Sequence, residues 1–121
     1  MIAKEDLKDW LDENNRKEYA KKLESFIDGE IKSNALAGNT TFFIATGRYT
    51  KKGSEKTPFY DLWNSNEISE DNRNFVQRIV IDRYREFGFV VRNSSVDCGW
   101  NNSYFALQFI DIHKVLEVES N

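Results

Sequence analysis

The sequence predicts an α+β fold: a two-layer sandwich in which a small, mostly antiparallel sheet of about three strands carries helices packed on one face. Three observations point there. Apolar residues recur at helical spacing in two long segments, Tyr19 to Ile31 and Phe75 to Phe87. Short runs rich in Phe, Ile, Val and Thr surround Thr41–Ile44, Phe89–Arg92 and Ser103–Phe109. The 121 residues include nine Phe, five Tyr and three Trp, enough bulky material for one core and hence one domain over 1–121.

Ile2 to Glu13 is predicted as a short helix, with Leu7, Trp10 and Leu11 at i, i+3 and i+4. Asn14-Asn15 interrupts it, and Asn15 followed by Glu18 has capping-box spacing, so a second helix is expected to start near Arg16. Tyr19, Leu23, Phe26, Ile27 and Ile31 form its apolar stripe, and Gly38 falls where a left-handed terminating residue would sit. Thr40 to Tyr49 reads as a strand, apolar on both faces at Phe42 to Ala45 and therefore expected at the sheet centre. Residues 50–68 show no period and hold Pro58, the only proline.

Ser69 with Glu70 and Asp71 makes a helix start, the hydroxyl as cap and the acids complementing the dipole. That helix is expected to run to Phe87, burying Phe75, Val76, Ile79, Val80, Tyr84 and Phe87, and to end at Gly88. Phe89–Arg92 and Ser103–Phe109 then form an antiparallel hairpin, with the turn-rich Asn93–Asn102 as a long tip. Residues 110–118 either extend the last strand or form a short terminal helix, the helix being preferred.

Chemistry-bearing residues are scarce. One Cys excludes an internal disulfide and Cys-based zinc clusters, and one His leaves no multi-histidine site in a monomer. His113 has only Asp111 as a local acid, and Asp97 beside Cys98 would raise a thiol pKa rather than lower it. Asp61, Asp71, Asp82 and Asp97 lie in separate segments with no metal-binding spacing. An enzyme is therefore not expected, nor any cofactor. No apolar run approaches the length of a membrane span, and Lys4-Glu5-Asp6 near the start does not fit a signal peptide. With a lone Cys98, a reducing cytoplasm is the expected compartment.

Formal charge is -3, distributed as a mildly positive middle between mildly negative ends: residues 48–92 hold nine basic and seven acidic groups. Duplex nucleic acid, which needs a larger cationic excess, is disfavoured as a partner. The candidate binding residues fall in four places. Arg48, Lys51 and Lys52 belong to a glycine-flanked cationic segment suited to a phosphate, although it lacks P-loop spacing. Tyr60 and Trp63 follow it and either pack it down or present an aromatic surface. Arg78 and Arg85, seven apart on one helix face, could meet an acidic partner, while Arg92 belongs with the cations that would neutralise a phosphate. Trp100, in the polar hairpin tip, either anchors a partner or folds back over the sheet edge.

The order of a helix ending at Gly38, the Thr41–Ile44 strand, the Ile79–Phe87 helix with Gly88, and the Phe89–Val91 and Tyr104–Phe109 strands resembles small bacteriophage accessory proteins. The resemblance spans residues 27–110 and rests on element order and helix-glycine-strand junctions, so it transfers no functional residue. It implies a small soluble protein acting in an infected bacterial cell. The expected function is a non-enzymatic binding protein that inhibits a host or defence protein. Two alternatives stay open. One is a protein sequestering a nucleotide or other phosphorylated small molecule, with Arg48, Lys51, Lys52 and Arg92 on phosphate and Trp63 or Trp100 on a base, between subunits of a homo-oligomer. The other is a virion or assembly component.

Overall fold

The computed structural model describes residues 1–47, 59–99 and 102–118. In chain order it contains α1 (Lys4–Leu36), β1 (Phe42–Ala45), α2 (Tyr60–Trp63), α3 (Glu70–Phe87), β2 (Val90–Gly99), β3 (Asn102–Ile110), a 3-10 turn (Ile112–Lys114) and α4 (Val115–Val118). The strands form an antiparallel sheet in the order β1-β3-β2. The longer helices pack on one face of it, so the α+β expectation is met.

The core is where α1 and α3 meet that face. Tyr19, Leu23 and Ile27 from α1 and Val76, Val80, Ile81 and Tyr84 from α3 close over Phe42 and Ile44 of β1, Val91 of β2, and Leu107 and Phe109 of β3. Their alternation in each strand is the period-2 signature of a sheet with one covered face. Phe109 stacks on Phe42 with centroids 5.4 Å apart and takes Tyr84 edge-on at 5.9 Å, tying both layers to the middle strand.

Two expected helices are one. Helix α1 passes through Asn14-Asn15 without interruption. An asparagine costs a helix only about 0.7 kcal/mol against alanine, far less than proline. Here the Glu13–Lys17 ion pair, 3.4 Å long, also straddles the site. What changes at Asn14 is the direction of the apolar stripe. At 3.6 residues per turn, Leu7 and Leu11 lie about 160° round the helix from Leu23 and Ile27. The second stripe is buried in the core, whereas Leu7, Trp10 and Leu11 are all exposed.

Strand β1 sits at an edge, not the centre. The central strand is β3, with Ala106, Leu107 and Phe109 all buried. Phe43, which made β1 look two-faced, points to the uncovered side and is 41% exposed. The second strand is longer than expected: Asn93, Ser94 and Ser95 pair with Leu107, Ala106 and Phe105, so the supposed loop tip is mostly ladder. These residues are polar because no helix covers them, not because the chain turns.

Helix α3 begins as expected: the Ser69 hydroxyl accepts from the Asn72 N–H at 3.3 Å. It ends at Gly88, whose φ of 122° only glycine adopts readily. Phe75 and Phe87, expected inside, are exposed at its two ends. The Arg16 guanidinium lies over the Phe75 ring at 5.9 Å, and Phe87 stacks on Phe89 at 5.7 Å. The chain after β3 forms the short helical turns preferred from sequence. Its entry is fixed by Asp111, in left-handed conformation, whose N–H donates to the Thr41 hydroxyl at 3.0 Å.

Candidate functional site

Beyond the reach of α1 and α3 the β2–β3 hairpin continues, and its helix-side face opens into a cleft of about 530 Å³. The strand positions that bury Val91, Leu107 and Phe109 carry Asn93 and Phe105 one step further along. Phe105 is 70% exposed there. The opposite wall is α2, which contributes Tyr60, Trp63 and Asn64, and Thr46 closes the end beside β1. None of the described lining residues is charged.

A helix of four residues has no intrinsic stability, so α2 must be held by its surroundings. Phe59, at its start, is 1% exposed and stacks on Phe26 of α1 at 4.3 Å. Polar groups fix the other end. The Tyr19 hydroxyl shares its proton between the carbonyls of Leu62 and Trp63, at 2.9 and 3.0 Å. Gln77 of α3 donates to the Trp63 carbonyl at 2.6 Å and to the Tyr19 oxygen at 3.2 Å. The Asn64 amide donates to the carbonyls of Thr46 and Tyr60 at 3.1 and 3.0 Å. Arg73 reaches the Ser65 carbonyl at 3.1 Å. Three side chains from α1 and α3, with Asn64 at the C-cap of α2 itself, thus hold one turn of helix in place. The far wall is equally tight, since both the Thr46 and Gly47 N–H groups donate to the Phe105 carbonyl, at 2.8 and 3.2 Å.

Burial raises the pKa of the Tyr19 phenol, partly offset by the Gln77 hydrogen bond and the positive charge of Arg73. It therefore remains a donor at neutral pH. The described lining of the cleft offers aromatic faces, amides and a threonine. No group of three or more His, Cys, Asp or Glu suited to a metal occurs among the described residues.

Of the residues singled out from sequence, Tyr60 and Trp63 come together in this cleft. The arginines do not. Arg78 is exposed on α3. Arg85 donates through Nε and Nη2 to the Val91 carbonyl, at 3.1 and 2.8 Å, and lies 3.5 Å from Asp82. Arg92, on the uncovered sheet face, donates to Gln108 Oε1 at 3.0 Å. Arg48, Lys51, Lys52 and Trp100 lie outside the described residues. Sequence reasoning missed Phe105, Asn93 and Asn64. A signal for the first two exists: along the inward positions of the hairpin, Val91 gives way to Asn93 and Ser95 while Phe105 stays aromatic. That contrast marks where helix cover ends.

No helix among the described residues is long and apolar enough to cross a membrane. Comparison with known proteins finds no matching family model, no matching curated protein and no matching solved structure.

Proposed function

We propose that this protein acts by contact, as a non-enzymatic binding protein that captures another protein through the Phe105–Trp63 cleft. The observation that carries this reading is a 70%-exposed phenylalanine sharing with two other aromatic residues a cleft whose described lining is uncharged and whose walls are braced from behind. Rigid aromatic side chains in a preformed recess are the usual anchors of protein interfaces. The likeness in element order to phage accessory proteins directs the search to a bacterial host or defence protein in the cytoplasm. The test is capture from bacterial lysate with wild-type protein and Phe105→Ala. Wild type returns one protein stoichiometrically, and Phe105→Ala loses it with an unchanged melting temperature. Equal capture by both removes the cleft from the interface.

A second reading follows from the cleft's size, which lies within the range of small-molecule sites, and from aromatic faces on which a base could stack. A nucleotide that raises the melting temperature of wild type but not of Phe105→Ala would favour this reading over the first.

A further inference from the structure

Among the described residues no strand pairs with the outer edge of β2. In an antiparallel ladder, directly opposed residues direct their N–H and C=O groups either toward each other or both away. The Phe105 carbonyl is used by β1, through Thr46 and Gly47, so the opposed pair Ser95–Phe105 is of the second kind. Val91 obeys the same phase, since its carbonyl leaves the sheet to meet Arg85. Asn93, midway between them, must do likewise. The main-chain groups of Asn93 and Ser95 thus face outward from β2, and no described residue is bonded to them there. Arg85 covers the edge only at Val91. The segment Val90–Val96 contains neither proline nor lysine, the ladder is regular until Asp97, and Arg92 is the one charged residue along this stretch of the edge strand.

Arginines stand on the two elements beside this edge, α3 and β2 itself. Arg78 lies two turns before Arg85 on the same side of α3, about 10 Å along the axis. Asp82 between them is the acid beside Arg85. Arg92 stands exposed on the other sheet face, its Nε donating to Gln108. A second copy of this chain placed edge to edge would bring the same arginines together. An extended acidic segment would meet them with opposite charge.

We propose that the outer edge of β2 at Asn93 and Ser95 is a strand-addition site for an extended acidic segment of the partner protein, with Arg78 and Arg92 framing it on the two sheet faces. This rests on the protein-binding reading and names the chemistry of the partner: main-chain hydrogen bonds give affinity, and the arginines select acidic side chains. The cleft lies alongside, because Asn93 and Ser94 line it.

The experiment uses the alternating peptide Glu-Val-Glu-Val-Glu-Val as probe, its Lys-Val counterpart as control, and amide hydrogen exchange by NMR as readout. The Glu-Val peptide is expected to slow exchange at Asn93 and Ser95 at least fivefold, the Lys-Val peptide not at all. Ser95→Pro removes one outward donor at a position an edge strand tolerates, and abolishes the protection. Arg78→Ala and Arg92→Ala each weaken peptide binding by roughly two- to fivefold at low salt, while leaving the fold intact even if Ser95→Pro does not. Unchanged exchange with either peptide overturns the proposal, as does equal protection by both. Protection that grows with protein concentration alone also overturns it, assigning the edge to a second copy. Phe105→Ala retains peptide protection, so failure of the edge and failure of the cleft are separate results.

Discussion

The clamp on α2 is redundant at one atom, and that redundancy can be measured. The Trp63 carbonyl receives two donors, the Gln77 amide at 2.6 Å and the Tyr19 hydroxyl at 3.0 Å. Tyr19→Phe removes the hydroxyl but leaves Trp63 served by Gln77, while the Leu62 carbonyl loses its 2.9 Å partner. One hydrogen bond in a mostly buried setting is worth about 1 kcal/mol. Gln77→Leu keeps side-chain bulk, leaves Trp63 served by Tyr19, and costs about 1 kcal/mol by the same reasoning. The double variant strips both donors from one carbonyl, and a buried acceptor without a partner costs about 1–3 kcal/mol. The pair is therefore expected to exceed the sum of the singles by about 1 kcal/mol. Urea unfolding followed by tryptophan fluorescence reads this directly. At a slope of about 2 kcal/mol per molar, each single lowers the midpoint by about 0.5 M and the double by about 1.5 M. Additivity within about 0.3 kcal/mol would refute the reasoning, because water would then be replacing the lost donors and α2 would not be held from a dry side.

Two further predictions concern backbone and pH. Gly29 lies inside α1 with no atom within 4 Å of the position a Cβ would take, so Gly29→Ala raises stability by about 1 kcal/mol. Gly88→Ala has room too, with Val115 Cγ1 at 3.7 Å, yet its φ of 122° makes it cost about 1–3 kcal/mol. Thermal melts that rank the two variants the other way would contradict this. Tyr19 and Tyr84 both have raised pKa values, Tyr84 through burial first and then its 2.6 Å hydrogen bond to Asp28 and the charges of Asp28 and Glu24. With folded pKa values above the unfolded value of 10.0, their stabilisation is intact below that pH and declines as pH rises past it, because only the unfolded chain ionises. The expected slope is up to about 1.4 kcal/mol per pH unit for each tyrosine. Tyr84→Phe reduces the slope; a urea midpoint independent of pH between 9 and 12 would contradict the prediction.

The fold was legible wherever a segment had a single environment. Helix α3 was recovered with its cap and its terminal glycine, since Ser69 and Gly88 act locally. Errors arose where one element changes environment along its length. In α1 a change of stripe at Asn14 looks like an end, because periodicity records what a helix faces and not whether its hydrogen bonds continue. In β2 the loss of apolar residues after Val91 looks like a turn, because Asn and Ser suit both loops and strands without cover. Two tertiary facts lay beyond any local pattern. The position of β1 at an edge depends on β3 returning beside it, and the placement of α2 depends on Tyr19 and Gln77, far away in sequence.

The same mismatch of lengths produces the candidate site. Helices α1 and α3 cover Val91, Leu107 and Phe109, but the hairpin continues to Gly99 and Asn102. Burying the excess would take another long element, and α2 provides only four residues. A protein selected for stability alone would place a polar residue at position 105, the first inward position of β3 that the helices do not cover. Phenylalanine there is 70% exposed, a cost that none of the described elements offsets. Braced walls around it add a second cost, since the clamp orders a one-turn helix whose Leu62 and Trp63 are only partly buried against the core. Both are explained together if a partner covers Phe105. The open edge of β2 is a third departure from the rules of an isolated sheet, and it lies beside the same cleft. All three departures fall in one region, which is where the proposed interface lies.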